Sequence, residues 1–324
     1  MSPKTLALVK LSYQKLNIQK FIDLIALYFT TEFDVHLFRE VLKEARQIYT
    51  QLEKSEYLIN HFIHPAWKNN VSIIKDYFKN RFGVDFLKHK VIRSTMFIAA
   101  GGDWQRRELE YLESILPAKV LKGYLKETRL GYPTITSLKY LTSHNSIHHL
   151  YHLIRFQEMT QKPLDQFECI IEFGGGYGNM AKILRRINPA ATYIGLDISL
   201  FCCIQYIYLS TLYGRDSVHM FTNEQSELKK GKINLIPVQF TKSIPDQPDS
   251  LFISTWGLSE STLAAQSYID SRSFFGARSI LLAFQANNST FMHAENVKDL
   301  LSIRSRNYLI EEIEFLKGNY YLFQ

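Results

Sequence analysis

Apolar residues in the first part of the chain recur at three- and four-residue steps. Val35, Phe38, Leu42, Ala45, Ile48 and Leu52 form one stripe, the spacing that places side chains on one face of an α-helix. Asp34 stands where a side-chain oxygen can cap the first turn. A second helix is expected from Trp67 to Phe82, closed by Gly83. Asp103 begins a third, WQRRELEYLESIL, which stops at Pro117. The aromatics of these helices are read as core packing. Ser143 or Asn145 starts a further helix, SIHHLYHLIRFQEMT. Residues 1–142 are thus expected to form a helical N-terminal region.

From Phe167 the pattern changes to short apolar runs that alternate with helical segments. Strands are expected at 168–173, 192–198, 233–240, 249–256 and 277–285. The chain closes with LIEEIEFL, a KGNY turn and YLFQ, an antiparallel hairpin. Strands alternating with helices imply a mostly parallel sheet covered on both faces. The expected fold class is α/β, with residues 143–324 as the core and its lead-in helix.

Between the first strand and its helix the chain reads IIEFGGGYGNM, Ile170 to Met180. Four glycines fall here: Gly174, Gly175, Gly176 and Gly178. Such a turn brings bare backbone against a nucleotide-like cofactor at a helix N-terminus. Gly176, Gly178 and Ala181 fit the GxGxxA dinucleotide fingerprint. Asp197 lies 19 residues beyond Gly178, where a carboxylate can accept from ribose hydroxyls. These signals suit NAD and S-adenosylmethionine alike. Three features favour the second. Glu172 ends the strand with a carboxylate, suited to the cationic amine-bearing end of S-adenosylmethionine and repulsive to a pyrophosphate. The consecutive Gly174-Gly175-Gly176 opens more backbone than a pyrophosphate needs. The sheet also ends in an antiparallel hairpin.

EFGGGYGN, GLD at the second strand, PVQF at the third and STWGLSE at the fourth resemble class I S-adenosylmethionine-dependent methyltransferases. More narrowly, they resemble a bacterial sugar O-methyltransferase family. That family has an E-x-G-G-G-x-G turn and a leucine-serine-glutamate element after the fourth strand, here Leu258, Ser259 and Glu260. The resemblance covers roughly the second half of the chain. In the first half it extends only to helical character and Gly131-Tyr132-Pro133. It implies a Rossmann-like seven-stranded sheet, mostly parallel, with the C-terminal antiparallel hairpin. It implies that Glu172, Gly174, Gly175, Gly176 and Gly178 cradle the methionine part of S-adenosyl-L-methionine. Asp197 would hold the ribose, and Gln239 and Phe240 would lie near the adenine, where many methyltransferases have an acid. The implied activity is methyl transfer to a hydroxyl of a sugar or glycan precursor, nucleotide-linked, lipid-linked or polymeric. The helical region would form the acceptor side. Other small molecules, RNA, and a non-catalytic binding role remain alternatives.

Methyl transfer to a hydroxyl requires an aligned acceptor and a base. Glu260 follows the fourth strand at the sheet's carboxyl edge, where ligands bind in open α/β sheets, or it serves as a first-turn helix acid. Trp256 at the same edge packs on a sugar or fills core. His144, His148, His149 and His152 place four of the chain's ten histidines within nine positions. His148 and His149 are the base candidates here. The i, i+4 spacing of His144, His148 and His152 also permits a metal pair, but no carboxylate is adjacent in sequence, and no metal is expected. His293 follows the fifth strand.

Charge and composition alter this picture little. The formal charge of +7 over 324 residues admits anionic acceptors. Arg106, Arg107, Arg185, Arg186, Lys229, Lys230 and Lys232 are scattered without interleaved aromatics, so nucleic acid is not expected. Cys169, Cys202 and Cys203 show no zinc or disulfide spacing and are read as reduced, which suits the cytoplasm. Lysines at 4, 10 and 15 interrupt any signal-peptide core. The apolar run Leu24–Phe29 is far too short to span a membrane.

Overall fold

Helix α1 (Val35–Leu52) forms where the apolar stripe lies. Asp34 Oδ1 accepts from His36 N at 2.7 Å and from Leu37 N at 3.2 Å, which satisfies two donors that a helix start leaves orphaned. The stripe buries Phe38, Val41, Leu42, Ala45, Tyr49 and Leu52. Each aliphatic or phenylalanine side chain so buried contributes roughly 1.5–3 kcal/mol. The molecule is described here from a computed structural model, over residues 32–96, 103–286, 288–300, 303 and 307–324. The expectations for the N-terminal lysines and for Leu24–Phe29 lie outside the described residues.

Helix α2 (Pro65–Asn80) starts two residues before the expected Trp67. Pro65 occupies the first turn, where its missing N–H costs nothing, and His64 Nδ1 accepts from Ala66 N at 3.2 Å. Helices α3 (Lys90–Thr95), α4 (Asp103–Ile115) and α5 (Ala118–Leu125) follow. A small hairpin of β1 (Ile135–Ser137) and β2 (Thr142–Ser143) leads into α6 (His144–Thr160). Ser143 caps α6 by accepting from Ser146 N at 3.3 Å.

The core strands are β3 (Cys169–Phe173), β4 (Thr192–Asp197), β5 (Val218–Met220), β6 (Ile233–Pro237), β7 (Ser250–Thr255), β8 (Ser279–Gln285), β9 (Leu309–Glu312) and β10 (Asn319–Phe323). They form one sheet in the order β5-β6-β4-β3-β7-β8-β10-β9. Strands β5 to β8 pair in parallel, and β10 runs antiparallel between β8 and β9. This is a Rossmann-like α/β fold with a C-terminal antiparallel hairpin. Seven strands are those expected from the sequence; the short β5 adds an eighth at the edge.

Alternate residues of each inner strand enter opposite cores. Ile170, Tyr193, Leu235 and Leu251 belong to one cluster, and Ile171, Ile194, Ile236 and Phe252 to the other. Burial on both faces explains why these strands read as continuous apolar runs. Helices α7 (Asn179–Ile187) and α8 (Ser199–Tyr213) follow β3 and β4. Every residue of α8 from Ser199 to Thr211 is buried, because the helix lies between the sheet and α1. Helix α9 (Leu263–Ser271) is capped by Thr262. The first cluster holds side chains from residues 38–140 together with core residues, so apolar packing is continuous across residue 142. All three cysteines are buried, and none is in a disulfide. Among the described residues, no helix is long and apolar enough to cross a membrane.

Candidate functional site

Strand order reverses on either side of β3, and the carboxyl ends of β3, β4 and β7 meet there, the position at which α/β sheets bind ligands. The backbone leaves β3 through Gly174 at φ +83°. A Cβ on Gly174 would stand 2.8 Å from Gly257 Cα, so the turns after β3 and β7 touch backbone to backbone. A Cβ on Gly175 would stand 2.8 Å from Glu172 Oε2. The glycines are therefore demanded by close approach as well as by dihedral.

Two buried carboxylates flank this turn. Glu172 accepts from the Tyr193 hydroxyl. Burial pushes its carboxyl up to about 7, opposed only by that hydrogen bond. Asp197 ends β4. Its Oδ1 accepts from Ile198 N at 2.8 Å, and its Oδ2 from Gln205 Nε2 at 3.2 Å and Gly176 N at 3.3 Å. Burial outweighs these donors and pushes Asp197 up to about 8. Among the described residues, no lysine or arginine offsets either acid.

Both acids line a cavity of about 720 Å³, together with Gly174, Gly175 and Gly176. Three of the residues expected at the cofactor do not line it. Gly178, at φ +95°, caps α7 and packs against Leu209 and Gln205. Gln239 and Phe240 fall in the short 3₁₀ helix Val238–Ser243, because β6 ends at Pro237 rather than at residue 240. Gln239 Nε2 donates to Ser199 Oγ at 2.9 Å, and Phe240 packs against both cores. Val238 lines the cavity in their stead.

Glu260 lines the same cavity. It accepts from Gln285 Nε2 at 3.2 Å and from Trp67, and burial pushes its carboxyl up to about 7. Trp256 also lines it, with φ +64°, an uncommon conformation for a bulky residue. Its indole donates to Asn319 Oδ1 at 2.8 Å and stacks on His148 at 5.5 Å. His293 is not in the lining; its backbone oxygen accepts from Gln266 Nε2 at 3.2 Å.

Both histidine candidates reach the cavity from α6. His149 Nδ1 meets Asn179 Nδ2 at 3.2 Å. Burial drives the imidazoles of His144, His148 and His149 down to about 3, so they are neutral. The sequence shows no carboxylate beside these histidines, but the fold supplies one. Glu108 on α4 meets His148 Nδ1 at 2.7 Å and His144 Nε2 at 3.4 Å. Burial pushes this carboxyl up to about 9. One signal for it lay in the sequence: Trp104, Glu108 and Leu112 repeat every four residues on α4, and Glu108 interrupts an otherwise apolar stripe.

The helical region supplies the opposite wall through His64, Trp67, Arg93, Met96 and Trp104. None of these carries a motif, because each is an ordinary residue in or beside a helix until the helices pack on the sheet. The scattered arginines serve structure instead. Arg185 binds the carbonyls of Pro189, Ala191 and Gly231, and Arg107 pairs with Glu314.

No family model and no curated protein matches the chain. Solved structures give remote matches. Human N-acetylserotonin methyltransferase, solved with S-adenosylmethionine, aligns at 13% identity and TM-score 0.33, over 55% of this chain and 57% of that one. Magnesium protoporphyrin IX methyltransferase from Synechocystis aligns at 13% identity and TM-score 0.37, over 70% of this chain and 99% of that one. The pyocyanin biosynthetic protein PhzM aligns at 14% identity and TM-score 0.37, over 77% and 74%. Scores this low transfer no substrate or mechanism. The fold assignment stands on this chain's own strand order.

Proposed function

We propose that the protein is an S-adenosyl-L-methionine-dependent O-methyltransferase acting on a hydroxyl of a sugar or glycan precursor. One observation carries this reading: Glu172 and Asp197 flank a bare glycine turn at the carboxyl ends of adjacent strands and share a cavity with Glu260. Buried acids with no cationic partner favour a ligand that brings positive charge and hydroxyl donors. The ammonium and sulfonium of the cofactor supply the first and its ribose the second. A pyrophosphate would instead face two carboxylates. Three buried cysteines, none in a disulfide, accord with a cytoplasmic enzyme.

The bound cofactor supplies an electrophilic methyl group on sulfur. Glu172 and the glycine backbone would hold its amino-acid end, and Asp197 would orient the ribose. Glu260 would take the proton of the acceptor hydroxyl as that oxygen is methylated. A carboxyl raised to about 7 is matched to that task near neutral pH. His149, on the α6 side of the cavity, is the second candidate base. His148 is engaged by Glu108.

Support for a sugar acceptor comes from the cavity's indoles, Trp67, Trp104 and Trp256, which offer apolar faces to pyranose rings. Arg93 is the permanent cation among the described lining residues and suits the phosphate of a nucleotide- or lipid-linked sugar.

Radiolabelled methyl transfer onto fractionated cell glycans tests the reading. Glu260→Gln should lower kcat by about 10²–10⁴ with little change in cofactor affinity. Cofactor binding with no transfer to any glycan fraction would favour a different acceptor or a binding role.

A further inference from the structure

We propose that Glu108, His144 and His148 form a site for one divalent transition-metal ion of zinc-like chemistry, in the seam between α4 and α6. Their donor atoms lie within 4.8 Å of one another, and all three residues are buried. Helix periodicity creates the arrangement: His144 and His148 are one turn apart on α6, and α4 brings Glu108 against both. The proposal does not depend on what occupies the neighbouring cavity.

Unpartnered atoms are the main argument. Glu108 Oε2, His144 Nδ1, His144 Nε2 and His148 Nε2 are buried with no hydrogen-bond partner among the described residues. Buried polar atoms are ordinarily paired, and two of these orphans, Glu108 Oε2 and His144 Nε2, stand 3.4 Å apart, a gap that a shared ion would bridge. Trp104 closes over the group edge-on, 4.5 Å from His144 and 5.3 Å from His148 by ring centroids, which gives a metal site the apolar shell it commonly has.

Distances and donor chemistry agree. Ligands about 2.0–2.2 Å from a tetrahedral ion stand roughly 3.3–3.5 Å apart. His144 Nε2 and Glu108 Oε2 are already separated by 3.4 Å. The 2.7 Å contact between His148 Nδ1 and Glu108 Oε1 is the direct hydrogen bond that an ion would replace. Two imidazoles and one carboxylate suit zinc and its first-row neighbours, whereas magnesium and calcium prefer all-oxygen sets. An ion here would tie α4 to α6 and fix His148 in the cavity wall.

The test uses the full chain, stripped with EDTA and then titrated with Zn²⁺ or Co²⁺. Metal analysis after gel filtration should find about one zinc per chain, and Co²⁺ should give visible d–d absorption. His144→Ala and Glu108→Gln should each weaken Co²⁺ binding by about 100-fold or more while retaining the wild-type far-UV spectrum. Chelation should lower the wild-type Tm and leave that of Glu108→Gln unchanged. The proposal is overturned if folded wild-type protein retains no zinc and shows no absorption with excess Co²⁺. It is equally overturned if both variants keep full metal binding.

Discussion

Two regions of this molecule bury carboxylates and treat them oppositely. In the seam between α6 and α7, Glu127 meets Lys182 Nζ, Ser143 Oγ at 2.6 Å, Ser146 Oγ at 2.8 Å and Ser143 N at 3.1 Å. Burial alone would raise Glu127, but these partners outweigh it and hold the carboxyl below its ordinary value. At the cavity edge, Glu172 and Asp197 are buried, Glu260 is partly buried, and none of them has a cation among the described residues. Burial raises them to about 7, 8 and 7. The first region is complete in itself and serves the fold. The second is left short of positive charge where the carboxyl ends of the strands open onto the cavity. Unpaired burial of this kind concentrates at functional sites.

The largest expected effect breaks the completed seam. Lys182→Met strands a buried carboxylate and should cost about 3–5 kcal/mol in urea unfolding. A cost under about 1 kcal/mol would show that the seam is no more committed to stability than the cavity edge. Next in size, Asp197→Ala should weaken S-adenosylmethionine binding by about 100-fold, since hydrogen bonds to a charged group contribute about 1.5–3 kcal/mol each. Its effect on unfolding should be far smaller than that of Lys182→Met, and a reversed ranking would overturn the division.

A smaller effect separates the regions by pH. Asp197 and Glu172 have raised folded values, so their contribution to stability is full below the unfolded carboxylate range. It is lost as pH rises toward about 8 and 7. The cofactor-free protein should therefore lose stability from about pH 4 up to about pH 8.5. Asp197→Asn, which mimics the protonated acid, should be more stable than wild type by about 1–3 kcal/mol at the upper end. The two should match only at or below about pH 4, the unfolded carboxylate range. Glu127 works in the other sense: its contribution is present above the unfolded range and fades as pH falls below it. Thermal scans from about pH 3 to about pH 8.5 check both signs.

What was legible in the sequence follows the same division. The glycine turn, Glu172 and Asp197 are recognisable because strand, turn and helix are contiguous, and the second strand follows at a fixed interval. The apolar stripe of α1 and the buried strands announce themselves by period. Gln239 and Phe240 were placed at the adenine because the third strand was expected to run on; Pro237 ends it and the next turn coils away. Glu108 has no local partner in the sequence, because His144 and His148 are 36 and 40 residues downstream. Only the packing of α4 on α6 joins them. Trp67 and Arg93 became cavity residues for the same reason.

The central claim is that the acid-flanked turn holds S-adenosylmethionine. Isothermal titration of the wild-type chain with S-adenosylmethionine, S-adenosylhomocysteine and NAD, each under the same conditions, tests it most directly. The account predicts one-to-one binding of the first two in the micromolar range and none of the third. Tight binding of NAD with no heat from either sulfur ligand would contradict it.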